Sequence, residues 1–484
     1  MLLSQVLSGI KTLGALAKDI EVSSVELNSK NVESGALFIA LNGKNSDGRK
    51  YIPDAVAKGA VAVLYDGDYE PTDEKVVYIK ATGDMRANIA IAAANFYKPI
   101  PHYISAITGT NGKTSIADFT RQLMTNLGYH SASIGTIGVV CDVMEKEDTL
   151  TTPDSVTMHK ILKKMAQKGV EYVSLEASSI GIEQYRLDGL KIKVAGFTNF
   201  TQDHLDYHGT MENYLKAKEQ LFSRVLEADG TAVLNADIKE YNELAEICRQ
   251  RGIKVMSYGY KGKDLHLVSR IAHAAGQSLC VEIEGRIYNI ELPLIGEFQA
   301  MNVLCAVGMV MALHGFSGKI IDYLPHIKGA AGRLDLVGRL ANGAGVYVDY
   351  AHTPDALENV LKTMRHHTQN KLWVVFGCGG DRDKLKRPIM GKIAQELADK
   401  IVVTDDNPRT ENAEEIRRQI LAECPSAVEM GDRIEAINYA VSHLEAGDML
   451  VIAGKGHESG QKIGDVIIPM NDIDEAAKAI AKVK

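Results

Sequence analysis

The sequence predicts an α/β protein of three domains: a small α/β N-terminal domain, a central P-loop mononucleotide-binding domain with a mostly parallel sheet, and a C-terminal Rossmann-like domain. Three observations lead there. The chain has 484 residues, more than one hydrophobic core usually organises. From residue 102 onward, short apolar runs alternate with long amphipathic segments, which is the rhythm of βαβ units. The apolar run at 104–107 leads into a glycine-rich loop with a Lys-Thr pair and then into a helical pattern.

The elements follow in chain order. VELNS (25–29), ALFIAL (36–41), AVAVLY (60–65) and KVVYI (75–79) are short β-like runs separated by Gly, Asp and Pro. A helical segment covers about 84–97, and Pro99 and Pro101 then break the chain before a strand, HYISAI. The first domain is therefore 1–99. YVSLEA (172–177), VAGFTNF (194–200) and TAVLNA (231–236) supply further strands, 264–290 is a short antiparallel excursion, and 297–314 is helical. The stretch HIKGAAGRLD at 326–335 marks a second boundary, giving domains 100–329 and 330–484. In the last domain strands are expected at 346–349, 372–376, 400–404 and 449–453, with helices at about 355–365, 388–398 and 413–423.

Hydrophobic residues make up 45% and charged residues 24%, an ordinary globular composition. The net charge of −8 argues against nucleic acid or an anionic membrane as partner, because both reward a basic face. Six cysteines lie scattered without a CxxC pair, which reads as reduced thiols and neither a disulfide framework nor a zinc site. The first twenty residues are helical in pattern, but Lys11 and Lys18 interrupt them and they lack a signal peptide's apolar run. No stretch approaches the roughly 20 apolar residues of a membrane span. A soluble cytoplasmic protein is expected.

Gly109-Thr110-Asn111-Gly112-Lys113-Thr114-Ser115 sits between the strand and a helix with Ile116, Phe119, Leu123 and Leu127 on one face and Gly128 at its end. Backbone N–H groups of such a loop wrap phosphates, the helix N-terminus adds positive potential, Lys113 reaches the terminal phosphates and Thr114 can ligate Mg²⁺. Ile107 stands where the common GxxxxGK[ST] pattern has glycine, so the loop is a shorter variant. Glu176 ends a predicted buried strand at the carboxyl edge where α/β sheets bind ligands, although a helix-capping acid would look the same. Thr201-Gln202-Asp203-His204-Leu205-Asp206-Tyr207-His208 follows the next such strand; beside a nucleotide loop, Mg²⁺ and phosphate orientation fit it better than zinc.

Taken in order, GTNGKT, TTP (151–153), EASS (176–179), DHLDYHG (203–209), KAKEQLF (216–222), GEFQAMN (296–302), GRLD (332–335), DYAHTPD (349–355), GCGGDRD (377–383), KRP (386–388), DNPR (406–409) and GKGHE (454–458) resemble the Mur ligases, specifically their diaminopimelate-adding members. The resemblance runs from Leu27 to Glu458. It implies a bacterial, cytoplasmic, monomeric ligase of peptidoglycan synthesis that takes ATP, a UDP-muramoyl dipeptide and meso-diaminopimelate and uses two Mg²⁺ ions. The γ-phosphoryl of ATP would pass to a substrate carboxylate, and the amine would attack the resulting acyl phosphate.

By the same resemblance Lys113, Glu176, His204 and Lys218 are the catalytic set. Thr114 and Glu176 hold one Mg²⁺, and His204 with a carbamylated Lys218 supports the second. Besides the loop 109–115, Asn302, Arg333, Asp349 and His352 line the ATP side of the site. Leu27, Ser29 and the turn Lys44, Asn45, Ser46 meet the nucleotide. Thr151, Thr152, Ser178, Gln184 and Arg186 meet the muramoyl peptide. Arg387, Asp406, Asn407, Pro408, Arg409, Gly454 and Glu458 bind diaminopimelate, with arginine forks suited to carboxylates and Asp406 or Glu458 suited to the distal ammonium. Arg409 separates this reading from a lysine-adding relative, since lysine has no second carboxylate.

The wording departs from the family's at Leu150, Ile180 and Gln299. Folylpolyglutamate synthase shares the phosphate loop, but DNPR and GKGHE argue against it. A dinucleotide-binding oxidoreductase would need GxGxxG, which GKGHESG misses by one residue. A ligase fold kept only as a scaffold would not need Lys113, Glu176, His204 and Lys218 intact.

Overall fold

Ala36–Ala40 is buried at every position, as a continuous apolar run between two parallel neighbours must be. In the computed structural model, which describes residues 1–43, 46–273 and 275–483, it belongs to a four-stranded parallel sheet, with Ser24–Glu26, Ala62–Tyr65 and Val77–Lys80. The first strand is shorter than its apolar text suggests, because the Asn28 side chain accepts from Lys30 N and starts the 3₁₀ turn Ser29–Asn31. Helix Met85–Phe96, capped by Asp84, packs on this sheet through Ile89 and Ala93. The helical pattern of the first twenty residues yields only Leu3–Val6. Gly9 and Gly14 adopt φ of 86° and 84°, and such left-handed residues end a helix.

The chain divides into two compact units, Met1–Tyr258 with Cys305–Phe316, and Gly259–Leu304 with Ser317–Lys484. The first unit holds the sheet above and a second one, in the order Lys254–Gly259, Leu226–Asn235, Ile192–Phe197, Tyr103–Thr108, Tyr172–Glu176, Ser131–Gly135, Gly138–Cys141. All pairs are parallel except the last. Its core includes Ile104, Ala106, Val173, Leu175, Phe197, Phe222 and Leu234. Tyr103–Thr108 and Tyr172–Glu176 are central, so Gly109 and Glu176 leave the same carboxyl edge.

In the second unit Leu265–His273, Gly276–Ile283 and Arg286–Leu292 form an antiparallel meander, the excursion expected at 264–290. A six-stranded sheet follows in the order Asp335–Arg339, Gly345–Asp349, Met449–Ala453, Leu372–Phe376, Lys400–Val403, Val428–Glu429, parallel apart from its first strand. Helices Pro354–Arg365, Lys386–Leu397 and Ala413–Leu421 match the expected positions to within a few residues. The carboxyl ends of Gly345–Asp349, Leu372–Phe376, Lys400–Val403 and Met449–Ala453 each feed one motif loop, respectively DYAHTPD, GCGGDRD, DNPR and GKGHE. Several short strands go beyond those the sequence predicts, among them Ser131–Gly135, Gly138–Cys141, Lys254–Gly259, Val428–Glu429, the edge strand Asp335–Arg339 and the hairpin Gly460–Ile463 with Val466–Pro469. Helix Glu297–His314 is long and apolar enough to cross a membrane, but 67% of it is buried in protein, as in a core helix. All six cysteines are unbridged, four of them buried.

Candidate active site

The glycine loop turns tightly between its strand and its helix. Gly112 caps helix Lys113–Asn126 at φ 88°, and Gly109 at φ 138° passes so close to Thr198 that a Cβ would collide with its hydroxyl. Thr110 N donates to Asn199 O (2.9 Å), Asn111 N to Asn199 Oδ1 (2.9 Å), and Thr198 Oγ1 to Asn111 O (2.6 Å). The strand end 197–200 therefore moulds the loop. Lys113 Nζ donates to the carbonyls of Gly109 (2.9 Å) and Thr110 (2.7 Å). Thr114 and Ser115 are buried in the first helical turn.

Glu176 ends its strand 2% exposed, with both carboxylate oxygens held by one residue. Thr136 N donates to Oε1 (2.7 Å) and Thr136 Oγ1 to Oε2 (3.1 Å). The Thr136 hydroxyl also lies 3.1 Å from Thr151 Oγ1. Thr152 Oγ1 donates to Glu176 O (2.7 Å) and accepts from Ser178 N (3.0 Å), while Ser178 Oγ caps helix Ser179–Glu183. Arg186 donates to Thr152 O (2.7 Å) and to Gln184 Oε1 (2.8 Å); Gln184 in turn donates to Tyr207 OH (3.2 Å). The sequence-expected residues Glu176, Thr151, Thr152, Ser178, Gln184 and Arg186 are thus brought into one hydrogen-bonded chain. Burial lowers the Arg186 pKa, the mark of a guanidinium partly withdrawn from water.

His204 caps helix Leu205–His208 at φ 51° and stays half-exposed beside Asp203. His208 is buried between Ser179 (2.9 Å) and Glu183 (3.3 Å), and burial lowers its pKa. Lys218, 1% exposed, donates to Gly109 O (2.8 Å) and lies over the Tyr214 ring at 4.4 Å. Burial first, then the charge of Lys113, lower its pKa far below the ordinary lysine value; Asp203 opposes them. No group of three His, Cys, Asp or Glu placed to hold a metal occurs among the described residues. Mg²⁺ does not ask for one: it takes one or two carboxylates, phosphate oxygens and water, and the buried Glu176 carboxylate with the Thr114 hydroxyl suits such an ion.

Of the positions expected to face the nucleotide, Leu27 packs on the first core and Ser29 O accepts from Lys58 (3.1 Å). Ser46 O accepts from Gly43 N (2.9 Å), and Ser46 Oγ lies 3.3 Å from Tyr51 OH. Lys44 and Asn45 lie outside the described residues.

The second unit gathers the other predicted residues. Asn407 donates to Glu458 Oε2 (3.0 Å), Asp406 Oδ1 accepts from Asn407 N (2.6 Å), and Gly454, at φ 119°, leaves no room for a Cβ beside Asp406 Oδ2. Pro408 O accepts from Glu411 N (3.1 Å). Arg409 sits at φ 53°, its backbone bridged to the hairpin through Lys462 O and Gly464 N, and its guanidinium donates to Gly380 O (2.7 Å). Arg387, expected at a ligand carboxylate, is engaged within the protein. Fully buried, it donates to both oxygens of Glu411 (3.1 and 3.0 Å) and to Gln419 (2.8 Å), so its fork is filled from within, and Glu411 titrates down at about 2.

Asn302 donates to Gln299 Oε1 (3.1 Å), the residue that departs from the family's wording, and Arg333 stacks over Tyr350 at 5.0 Å. Asp349 accepts from Leu334 N and Ala351 N (2.7 Å each), and burial raises its pKa. His352 is exposed, with Nδ1 2.9 Å from Tyr350 O. Leu150 is exposed and Ile180 half-buried. Sequence reasoning missed Thr136, Thr198, Asn199 and Lys455. Only Lys455 carried a signal, its place inside GKGHE.

Three family models match the chain. The Mur ligase family catalytic domain matches residues 21–104, the Mur ligase middle domain 107–310, and the Mur ligase glutamate ligase domain 332–456. A UDP-N-acetylmuramoyl-L-alanyl-D-glutamate–2,6-diaminopimelate ligase of Caulobacter vibrioides is 47% identical, over 96% of each chain. One of Mesorhizobium japonicum is 45% identical, again over 96% of each. A solved structure of a ligase of that name superposes with TM-score 0.74 at 33% identity, covering 100% of this chain and 99% of its own. On these grounds the chain belongs to the Mur ligase family.

Proposed function

We propose that this chain uses ATP to join meso-2,6-diaminopimelate to UDP-N-acetylmuramoyl-L-alanyl-D-glutamate, releasing ADP and phosphate, in the bacterial cytoplasm and as a monomer. Residues 1–99 take the nucleotide-sugar, 100–329 the ATP and 330–484 the amino acid. The observation that carries the substrate choice is Arg409, held at φ 53° on the same turn as Asp406 and Asn407, with Glu458 hydrogen-bonded to Asn407. An arginine fork for a carboxylate beside two acids for an ammonium fits an amino acid with a second amino-acid head. The names of the relatives support the same choice.

The chemistry starts from two anions that must approach. The loop N–H groups and Lys113 hold the phosphates of ATP, while Arg186, Thr151 and Ser178 orient the peptide so that its carboxylate oxygen meets the γ-phosphorus. Oxygen–phosphorus bond formation expels ADP and leaves an acyl phosphate. The amine, presented by Arg409, Asp406 and Glu458, attacks that carbonyl, and phosphate departs as the amide forms. Bound Mg²⁺, two ions in this reading, neutralises charge on the transferring phosphoryl. Thr114 and Glu176 would hold one ion, and His204 with Lys218 as its carbamate the other. The test is phosphate release with ATP, the UDP-muramoyl dipeptide, and diaminopimelate, lysine or ornithine in turn. Release should require both the dipeptide and diaminopimelate. Comparable turnover with lysine would overturn the amino-acid choice, and release without the dipeptide would overturn the reaction.

A further inference from the structure

We infer that Lys455 is a positioning residue that sets the amino-acid specificity of the second unit's site by fixing Asn407 and half-neutralising Glu458. The inference rests on the amino-acid reading given above. Lys455 follows Gly454 at the carboxyl end of strand Met449–Ala453 and is 0% exposed. Its ammonium donates to Asn407 Oδ1 (3.0 Å) and to Glu458 Oε2 (3.1 Å). Asn407 Nδ2 closes a triangle on the same Glu458 oxygen at 3.0 Å, and Lys462 N adds a second donor to Asn407 Oδ1 at 2.9 Å. Glu458 N donates to Lys455 O (2.9 Å), so the loop folds back to bring acid and ammonium together.

Two consequences follow. With two donors on Oδ1, the Asn407 amide is held in one of its two flips and its Nδ2 must point to Glu458. With two donors on Oε2, Glu458 keeps Oε1 outside the triangle as its oxygen for a ligand. The charges matter as well. Asp406 and Glu458 are two anions, Lys455 and Arg409 two cations, and Arg433 is already closed on Asp472 at 2.7 Å with both side chains fully buried. The set is therefore neutral and suits a ligand whose distal head is a zwitterion. Without Lys455 the set carries one net negative charge, which favours a ligand ending in a lone ammonium.

The test is Lys455→Met, unbranched, uncharged and one atom shorter, assayed with diaminopimelate and with lysine. The KM for diaminopimelate should rise about tenfold or more, with the KM values of ATP and the dipeptide near wild type, and the diaminopimelate-to-lysine ratio of kcat/KM should fall about tenfold. An unchanged diaminopimelate KM, or a rise in all three KM values together with an unchanged ratio, would overturn the inference. Wild-type turnover separates the two levels: if it ignores diaminopimelate the functional reading falls, and if it uses diaminopimelate while Lys455→Met behaves as wild type only the role of Lys455 falls. Should the single variant not fold, the charge-balanced pair Lys455→Met with Glu458→Gln carries the test against Glu458→Gln alone. In that background Lys455→Met still removes a donor that fixes Asn407, so a further rise in diaminopimelate KM of about threefold or more, with the ATP and dipeptide values unchanged, supports the inference, and a diaminopimelate KM that is unchanged or rises only together with the other two overturns it.

Discussion

Lys113 and Lys218 share one acceptor, the carbonyl oxygen of Gly109, at 2.9 and 2.8 Å. Burial, and then the charge of Lys113 beside it, lower the Lys218 pKa well below 10.5. Its neutral amine is the form that adds CO₂, forming an N–C bond and releasing a proton to give the carbamate. Lys218→Ala should therefore lose nearly all turnover while keeping its melting temperature, and high bicarbonate should restore part of it. ¹³C-bicarbonate should give a carbamate resonance in the wild type and none in the variant. Full activity of the alanine variant would remove Lys218 from the mechanism.

Thr136 holds both oxygens of Glu176, and its hydroxyl also meets Thr151. Thr136→Val keeps the shape and the N–H but strips the hydroxyl from a buried carboxylate. A hydrogen bond to a charged group contributes about 1.5–3 kcal/mol, so kcat should fall about 10- to 100-fold and the Mg²⁺ concentration for half-activity should rise. Thr136→Ser should recover most of both. Mn²⁺ affinity in the presence of ATP, measured without turnover, gives a second reading; a valine variant with wild-type values in both would dismiss the role.

The loops at the strand ends were legible because their chemistry needs rare residue types in a fixed order. Gly109, Gly112 and Lys113 could be placed from sequence since only glycine tolerates those backbone angles and a Lys-Thr pair opens a helix there. Thr136 could not, because its role depends on Tyr172–Glu176 pairing with Ser131–Gly135, a contact forty residues apart in sequence. The internal partner of Arg387 is hidden for the same reason: KRP alone does not show that Glu411, 24 residues on, pairs with its guanidinium. The strand Asp335–Arg339 was missed because, among the described residues, its only sheet neighbour is Gly345–Asp349, and edge strands carry weak apolar patterning.

Arg409 makes the sharpest specificity prediction. Its positive φ and its bonds to Lys462 O and Gly380 O fix where the guanidinium starts, so a shorter or uncharged residue cannot reach the same carboxylate. Arg409→Met should lower kcat/KM for diaminopimelate by about 100-fold, corresponding to about 3 kcal/mol for an unpaired ligand carboxylate. The same change should alter lysine turnover by less than about threefold, because lysine brings no carboxylate to that place. Equal losses with both amino acids would point to a collapsed turn, and the melting curve would show it.

His367 gives a pH dependence separate from catalysis. It is 3% exposed, and Gly296 N donates to its Nε2 at 3.1 Å, so that nitrogen carries no proton and Nδ1 donates to His273 O at 2.8 Å. Burial, and then the charges of Arg270, His273 and His366, push its pKa below 6.5, against the raising effect of the His273 carbonyl. The folded pKa thus lies below the unfolded one, so as pH falls through 6.5 the unfolded chain takes up a proton that the folded chain resists. Stability from this group is complete above that pH and declines below it. The wild-type melting temperature should therefore drop more between about pH 7.5 and 5.5 than that of His367→Gln, whose amide does not titrate. His159 and His208, also shifted down by burial, contribute equally to both chains and cancel in the comparison. Parallel melting profiles would show that His367 takes up its proton alike in the folded and unfolded chains, and the clamp on the start of Glu297–His314 would then not be a titrating one.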